Sequence, residues 1–243
     1  MEIEYKWELP GEAVLADLLS DATVAPMLGD ARELNMHATY YDTANQDVSR
    51  MHGGLRVRRE NDESVCCLKL ATGGTDGCKT RREFEMAADD VIEGLRNLPS
   101  VGAPVDVCEM LLAANPQPTC ETDFVRREYR LEGRGFVAAL AIDVGEMRRQ
   151  GHVAPIHELE FEHLSGSRGA FHAFARWMQE EFDLEVQPLS KLARAMALEV
   201  GGDTLDRYIC LIWLKNETDV PVQCVSPGPG ALALSLSPLH MES

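Results

Sequence analysis

The sequence predicts an α+β protein, an antiparallel sheet of short strands covered by a few amphipathic helices. Three observations carry this. Charged and apolar side chains alternate with a period of two in several runs, among them 2–6 (EIEYK), 54–60 (GLRVRRE), 80–86 (TRREFEM) and 156–163 (IHELEFEH). The dipeptide Asn61-Asp62 separates two such runs as a hairpin turn does. Helical spacing is confined to a few segments, the best being 167–182, where Phe171, Phe174, Trp177 and Met178 fall on one face.

The elements follow in order. Residues 2–9 read as a strand. Residues 11–20 read as a helix, with Val14, Leu15, Leu18 and Leu19 together. A strand is expected over 37–43, ending in a turn. The runs 54–60 and 64–70 form the hairpin, and 80–86 is a further strand. Asp89-Asp90 start a helix that continues to about Leu98, with acids suited to its N-terminus. Residues 105–114 form a second helix, closed by Asn115-Pro116. Strands are expected over 122–131, 136–144 and 156–163, and helices over 167–182 and 190–200. This layout fills a domain of residues 1–202. Residues 203–243 end in a Pro/Gly/Ser-rich stretch and read as a poorly ordered or accessory tail.

Composition narrows the function. The 243 residues are 45% hydrophobic and 26% charged, as in an ordinary globular protein. A net charge of -17 argues against general binding to nucleic acid or to an anionic membrane face. An anionic ligand must therefore meet a local concentration of the 23 Lys and Arg residues. The seven Cys are odd in number and lack CxxC spacing, which argues against a zinc ribbon and a disulfide framework. Free thiols in a reducing cytoplasm are expected. The N-terminus does not read as a secretory signal, and no run of eighteen apolar residues is present. The expected location is cytoplasmic.

Strand alternation sorts the charges. Arg56 and Arg58 share a face opposite Leu55 and Val57. Lys69 lies opposite Leu68 and Leu70. Arg81, Glu83 and Glu85 oppose Phe84 and Met86. Glu158, Glu160 and Glu162 oppose Leu159 and Phe161. Glu2, Glu4 and Lys6 oppose Ile3 and Tyr5. On any single strand such charges simply face water. Across five strands, basic and acidic clusters sit on different strands, with few neutral fillers. If the sheet closes, the charged face becomes a lumen, basic on one side and acidic on another. Arg and Lys grip phosphate oxygens, and carboxylates hold divalent metal that bridges to the same phosphates.

Other candidates give way to simpler readings. Among the scattered His, His157 and His163 flank the Glu-rich strand, but hard cations prefer oxygen ligands. Cys66-Cys67 lacks an accompanying His/Asp set and reads as packed strand thiols. Gly73-Gly74 and Gly77 lack a phosphate-loop Lys-Ser/Thr pair and read as a hairpin loop.

The ordered motifs resemble the CYTH family, the triphosphate tunnel metalloenzymes. Glu2-Ile3-Glu4-Tyr5-Lys6 matches the family's ExExK signature at the extreme N-terminus. Tyr40-Tyr41-Asp42-Thr43, Gly54-Leu55-Arg56-Val57-Arg58, Leu68-Lys69, Arg81-Arg82-Glu83 and Thr122-Asp123-Phe124-Val125-Arg126 follow. Then come Ala141-Ile142-Asp143-Val144-Gly145-Glu146, Glu158-Leu159-Glu160-Phe161-Glu162 with Ser165-Gly166, and Leu189-Ser190-Lys191-Leu192-Ala193-Arg194. The match covers roughly residues 1–200. The chain is most similar to the bacterial inorganic triphosphatases, although its length leaves no room for the helical CHAD domain that usually follows the barrel. Ala195-Met196 stand where the family often has Gly-Tyr.

The resemblance implies a closed antiparallel β-barrel, a triphosphate tunnel with covering helices. It implies that Arg56, Arg58, Lys69, Arg81, Arg126, Lys191 and Arg194 bind the phosphate chain. Glu2, Glu4, Glu158 and Glu160 would hold Mg²⁺ or Mn²⁺, with Asp143 and Glu83 as weaker candidates. Glu2, Glu4 and Lys6 would form the catalytic group, Lys6 contacting the phosphate end or orienting the acids. The implied reaction is hydrolysis of inorganic triphosphate to pyrophosphate and phosphate. The alternatives are a thiamine triphosphatase, a class IV adenylyl cyclase, and a non-catalytic module binding polyphosphate or nucleotides. The expected partner is a small triphosphate compound, with no nucleic acid and no membrane; nothing in the sequence sets the oligomeric state.

Overall fold

Residues that alternate in polarity form two-faced strands, and eight such strands make one sheet. The computed structural model describes residues 3–73 and 80–199. The strands are β1 (Glu4–Glu8), β2 (Leu28–Asp42), β3 (Gly54–Glu60), β4 (Glu63–Gly73), β5 (Thr80–Ala87), β6 (Gln117–Gly133), β7 (Phe136–Arg149) and β8 (His152–Gly166). The helices are α1 (Glu12–Ser20), α2 (Asp47–Arg50), α3 (Val91–Asn97), α4 (Val105–Ala113), α5 (Arg168–Glu181) and α6 (Lys191–Met196). Short 3₁₀ turns at Ala25–Met27, Leu98–Val101 and Ala197–Glu199 complete the set.

The sheet runs β1-β8-β7-β6-β2-β3-β4-β5, and every neighbouring pair is antiparallel. Two pairings join distant parts of the chain: β1 with β8, and β2 with β6. Strands β1 and β5 end the hydrogen-bonded order, so among the described residues no ladder closes the sheet into the expected barrel. Closure by hydrogen bonds would need β1 and β5 side by side.

The apolar face is covered by two groups of helices. Over β1 and β6–β8, Trp7, Leu131, Leu140, Leu159 and Phe161 pack with Leu18 of α1 and Phe171, Ala175 and Met178 of α5. Phe161 stacks on Phe171 with ring centroids 4.8 Å apart. Over β3–β5, Leu55, Cys66, Leu68 and Phe84 pack with Val91 and Leu95 of α3 and Cys108 and Leu111 of α4. Gly94 permits this approach, because a Cβ there would lie 2.3 Å from the Cys66 side chain. Each of these side chains removes apolar area from water, worth about 1.5–3 kcal/mol for a fully buried large aliphatic or Phe side chain.

Local signals set the element ends. The β3–β4 turn is Asn61-Asp62 as expected, with Glu60 opposite Glu63 and Asn61 at φ 53°, a conformation Asn tolerates. Asp90 caps α3, accepting the Ile92 and Glu93 N–H groups at 2.8 Å. Ser167 caps α5 and Ser190 caps α6 in the same way. Asp42 accepts from the backbone N–H of Thr43, Val48 and Ser49 and from the Ser49 hydroxyl, which fixes the turn into α2.

Two extents differ from the sequence expectation. Strand β2 starts at Leu28 rather than near residue 37, because residues 29–33 are exposed and carry no apolar alternation to read. Strands β6–β8 run longer than predicted, since pairing on both sides carries polar residues into the ladder. Glu2, the glycine loop at 74–79 and the expected tail at 203–243 lie outside the described residues. No described helix is long and apolar enough to cross a membrane.

Candidate functional site

Residues directly opposite each other in an antiparallel ladder point to the same face. The registers therefore trace one continuous face across all eight strands. Lys6 opposes Glu160, Glu158 opposes Asp143, and Asp143 opposes Arg126. Two residues along β6, Phe124 opposes Met36. Tyr40 opposes Arg56, Ala38 opposes Arg58, Arg56 opposes Cys67, and Lys69 opposes Glu83. Glu4 lies on this face beside Lys6, across from Glu162. Helix α6 lies against the same face: Ala195, Leu192 and Met196 pack on Met36, Ala38, Tyr40, Cys120, Phe124, Met147 and Ile156. This apolar plug brings Lys191 and Arg194 to the strand-borne charges.

The predicted residues thus gather in two groups. In the first, Asp143, Glu158 and Glu160 meet Lys191, Arg126 and Arg194. The Lys191 ammonium donates to Glu160 Oε1 at 2.7 Å and to Glu158 Oε2, and lies 2.8 Å from Asp143 Oδ2. The Arg126 fork donates to both Asp143 oxygens at 2.8 and 2.7 Å and to Glu160 Oε2 at 2.5 Å. Arg194 Nη2 is 3.0 Å from Glu158 Oε1. Asp143 and Glu158 are fully buried. Phe124 lies beneath, 5.1 Å from the Lys191 ammonium and 5.9 Å from the Arg126 guanidinium. Gly145 opposite Phe124 makes room, since a Cβ there would lie 2.4 Å from the Phe124 Cα. Lys6 adjoins the group and donates to the Leu189 carbonyl at 2.6 Å.

The second group, on β3–β5, is looser. Lys69 pairs with Glu83 at 3.0 Å, and Arg56 Nη2 reaches the same carboxylate only at 4.0 Å. Arg56 also contacts the Tyr40 hydroxyl at 3.5 Å. Arg58 bridges Glu60 at 2.6 Å and Glu85 at 3.4 Å. The Cys67 thiol donates to Glu83 at 3.0 Å. The Nε–H donors of Arg56, Arg58 and Arg194 are buried and have no acceptor among the described residues. A buried donor without a partner is costly, so an incoming oxygen anion is favoured there. Arg81 lies in β5, but its side chain is outside the described residues.

Electrostatics follow the pairing. Burial pushes the Glu160 carboxyl up, but Lys191 and Arg126 override it and hold it well below the usual carboxylate range. Burial opposes the charge on Lys191, yet Glu160, Asp143 and Glu158 raise its pKa above the ordinary lysine value. Lys6 is lowered by burial, which its acidic neighbours Glu158 and Glu160 only partly offset. On Glu83, burial is likewise overcome by Lys69, the Cys67 thiol and Arg56, and its pKa falls to about 2. Burial pushes the Cys67 thiol up to about 12, so it is a protonated wall residue rather than a nucleophile.

Ligand oxygens of Asp143, Glu158 and Glu160 lie within 4.8 Å of one another. An all-oxygen set of this kind fits a hard divalent ion such as Mg²⁺ or Mn²⁺. Cys67, Glu83 and Glu85 make a second such group, in which a protonated thiol and adjacent Lys69 and Arg56 make a poorer donor set. Asp143 and Glu83, weaker candidates in the sequence, sit at the centres of their groups. Sequence reasoning missed Tyr40, Phe124 and Cys67 as wall residues; their signal was alternation in register with residues it had chosen.

A CYTH domain model matches residues 1–196. The chain belongs to the CYTH family. Within it, the chain is 28% identical over 160 residues to an inorganic triphosphatase of Haemophilus influenzae. That match covers 66% of this chain and 45% of the relative, so the chain spans less than half the length of that protein. Among solved structures, the Hippeastrum protein HpAC1, named for adenylyl cyclase and described as having a dominant triphosphatase activity, aligns with a TM-score of 0.50. It is 20% identical, and the alignment covers 80% of this chain and 95% of HpAC1. A Pyrococcus horikoshii protein aligns with a TM-score of 0.48 at 18% identity, over 79% of this chain and 96% of that one. The HpAC1 likeness supports the CYTH fold.

Proposed function

We propose that this CYTH protein hydrolyses inorganic triphosphate to pyrophosphate and phosphate with the help of Mg²⁺ or Mn²⁺, the charged face closing around the substrate as a tunnel. One observation carries the reading: a single face holds both buried Arg donors without acceptors and a buried three-carboxylate cluster. The Haemophilus relative named inorganic triphosphatase supports the choice of substrate.

Each residue has a role. Arg56, Arg58 and Lys69 bind one stretch of the phosphate chain, and the free Nε–H groups of Arg56 and Arg58 supply donors already in place. Arg81 would extend this set. Arg126, Lys191 and Arg194 meet the rest of the chain beside the carboxylates. Such preorganised cations stabilise charge that builds on the bridging oxygen as the P–O bond breaks. Asp143, Glu158 and Glu160, with Glu4 of β1 and, on the sequence motif alone, Glu2, would hold divalent metal. That metal would neutralise phosphate charge and lower the pKa of an attacking water. Lys6, fixed by the Leu189 carbonyl and near enough to feel Glu158 and Glu160, would contact the phosphate end or orient these acids. The apolar plug under α6 keeps bulk water from this side of the face.

The test is turnover by the purified protein of inorganic triphosphate, thiamine triphosphate and ATP, each with Mg²⁺ or Mn²⁺. Phosphate and pyrophosphate from inorganic triphosphate, abolished by a chelator, are expected. Cyclic AMP from ATP would instead make it a cyclase. Turnover of thiamine triphosphate alone would move the substrate to an organic triphosphate. Tight binding with no turnover of any substrate would make it a binding module.

A further inference from the structure

The carboxylate cluster already holds a cation, and the chain supplies it. An ammonium has three N–H donors, and the Lys191 ammonium meets three carboxylates: Asp143 Oδ2 at 2.8 Å, Glu160 Oε1 at 2.7 Å, and Glu158 Oε2. These are the groups whose oxygens converge closely enough to hold a metal. Three carboxylates this close repel one another unless a cation sits among them. A divalent ion needs the oxygens that Lys191 engages, so the two occupy the cluster in turn.

The surrounding contacts suit such an exchange. Arg126 grips both Asp143 oxygens and Glu160 Oε2, and Arg194 faces Glu158 Oε1, so the carboxylates stay oriented when Lys191 leaves. Helix α6 is anchored without Lys191. The Ser190 hydroxyl accepts the Ala193 N–H at 3.2 Å, and Leu192, Ala195 and Met196 pack in the apolar plug. The flexible four-carbon lysine stem can therefore move while the helix stays. Charge points the same way. The three acids meet three cations directly, Lys191, Arg126 and Arg194, so within these contacts the charge is balanced and the pull on a free divalent ion is weakened.

We propose that Lys191 is the resident cation of the Asp143–Glu158–Glu160 cluster, and that the arriving phosphate chain draws its ammonium away and so opens the carboxylates to the metal. This rests on the metal-dependent reading given under Proposed function. Lys191 then has two successive partners, the carboxylates before loading and phosphate oxygens after it. Metal binding is weak without the anion, and each ligand promotes the other, as linkage requires.

The experiment titrates Mn²⁺ into the full chain without any phosphate compound, following free Mn²⁺ by electron paramagnetic resonance. Lys191→Met should bind Mn²⁺ about tenfold or more tightly than the wild type, a factor within the usual range of coupling between sites. Lys191→Gln keeps the bulk and some donors without the charge, and should shift in the same direction if the Met variant folds poorly. Arg130→Met removes a cation from the strand that carries Arg126 without touching either carboxylate group, and should leave Mn²⁺ affinity unchanged. Equal affinity in wild type and Lys191→Gln overturns the proposal while leaving the metal-dependent reading intact. Equal tightening in Arg130→Met also overturns it, as a general charge effect. If no variant binds Mn²⁺ even with a non-hydrolysable triphosphate analogue, the metal-dependent reading fails, and this proposal with it.

Discussion

The two groups on the charged face of the sheet use the same residue types and differ in burial. Around β6–β8 and α6, the Asp143 and Glu158 side chains are 0% exposed, and every acid has at least two cationic contacts. On β3–β5, the Glu83 and Glu85 side chains are 25% and 41% exposed, and Arg56 reaches Glu83 only at 4.0 Å. The first group is a dense buried network, although the Arg194 Nε–H has no acceptor there among the described residues. The second holds cations that are paired loosely and, at the Arg56 and Arg58 Nε atoms, not at all. Buried networks are costly to break, whereas screened pairs contribute little to stability and leave their charges available to a ligand. The comparison predicts a larger stability cost for breaking the first group than for breaking the second.

Four experiments break or sharpen that contrast. The largest effect is expected from Glu158→Ala, which strands Arg194 in a buried site and removes one of the three carboxylates around Lys191. Urea denaturation should show a loss of ~3–5 kcal/mol. Glu83→Ala should cost under ~1 kcal/mol in the same assay, because its pairs are partly solvated. Similar losses for both would erase the distinction. Next, Arg56→Ala should lower kcat/KM for triphosphate by ~2–4 kcal/mol of transition-state stabilisation, with the urea midpoint nearly unchanged. Unchanged turnover would remove Arg56 from the site.

A smaller effect concerns pH. The Glu83 carboxyl titrates near 2 rather than 4.5. Its contribution to stability is therefore fully present above 4.5 and is lost as pH falls through about 2. Melting curves of wild type and Glu83→Gln between those limits should converge as the pH drops. Parallel curves would mean that Glu83 is not held ionised by Lys69 and Arg56.

The smallest effect compares two helix caps. Ser190→Ala and Asp90→Ala should each cost about 1 kcal/mol of stability. Only the first loosens a helix that carries Lys191 and Arg194, so only the first should raise KM for triphosphate. A KM change in Asp90→Ala would show that the outer helices influence the site more than the charged face suggests.

Much of this was legible from the sequence. Alternation in 54–60, 64–70 and 80–86 placed Arg56, Arg58, Lys69 and Glu83 each opposite the apolar residues of its own strand, because a period of two sorts side chains whatever the partner strand. Asn61-Asp62 and Asp90 announced a turn and a cap through local chemistry. The first half of β2 was not legible, since its exposed residues follow the register of β6 rather than any pattern of their own. Phe124, Tyr40 and Cys67 were hidden for a similar reason: each gains its role from a neighbour distant in the chain. Asp42 was visible as part of a motif, but its work on the turn into α2 depends on backbone donors that only folding brings to it.

By itself the sequence determined which side chains could share a face and where several of the elements begin. Those are short-range consequences of strand geometry, turn chemistry and helix capping. Only the tertiary structure decided which faces adjoin. The β1–β8 and β2–β6 ladders link residues 75 or more positions apart, and a register shift of one residue would turn each strand's charges to the opposite side. The docking of α6 made the same kind of decision. In the sequence, Lys191 belongs to a motif whose resemblance implies phosphate binding; in the fold, it sits among three carboxylates, because the apolar residues of its own helix pack on the charged face beside them.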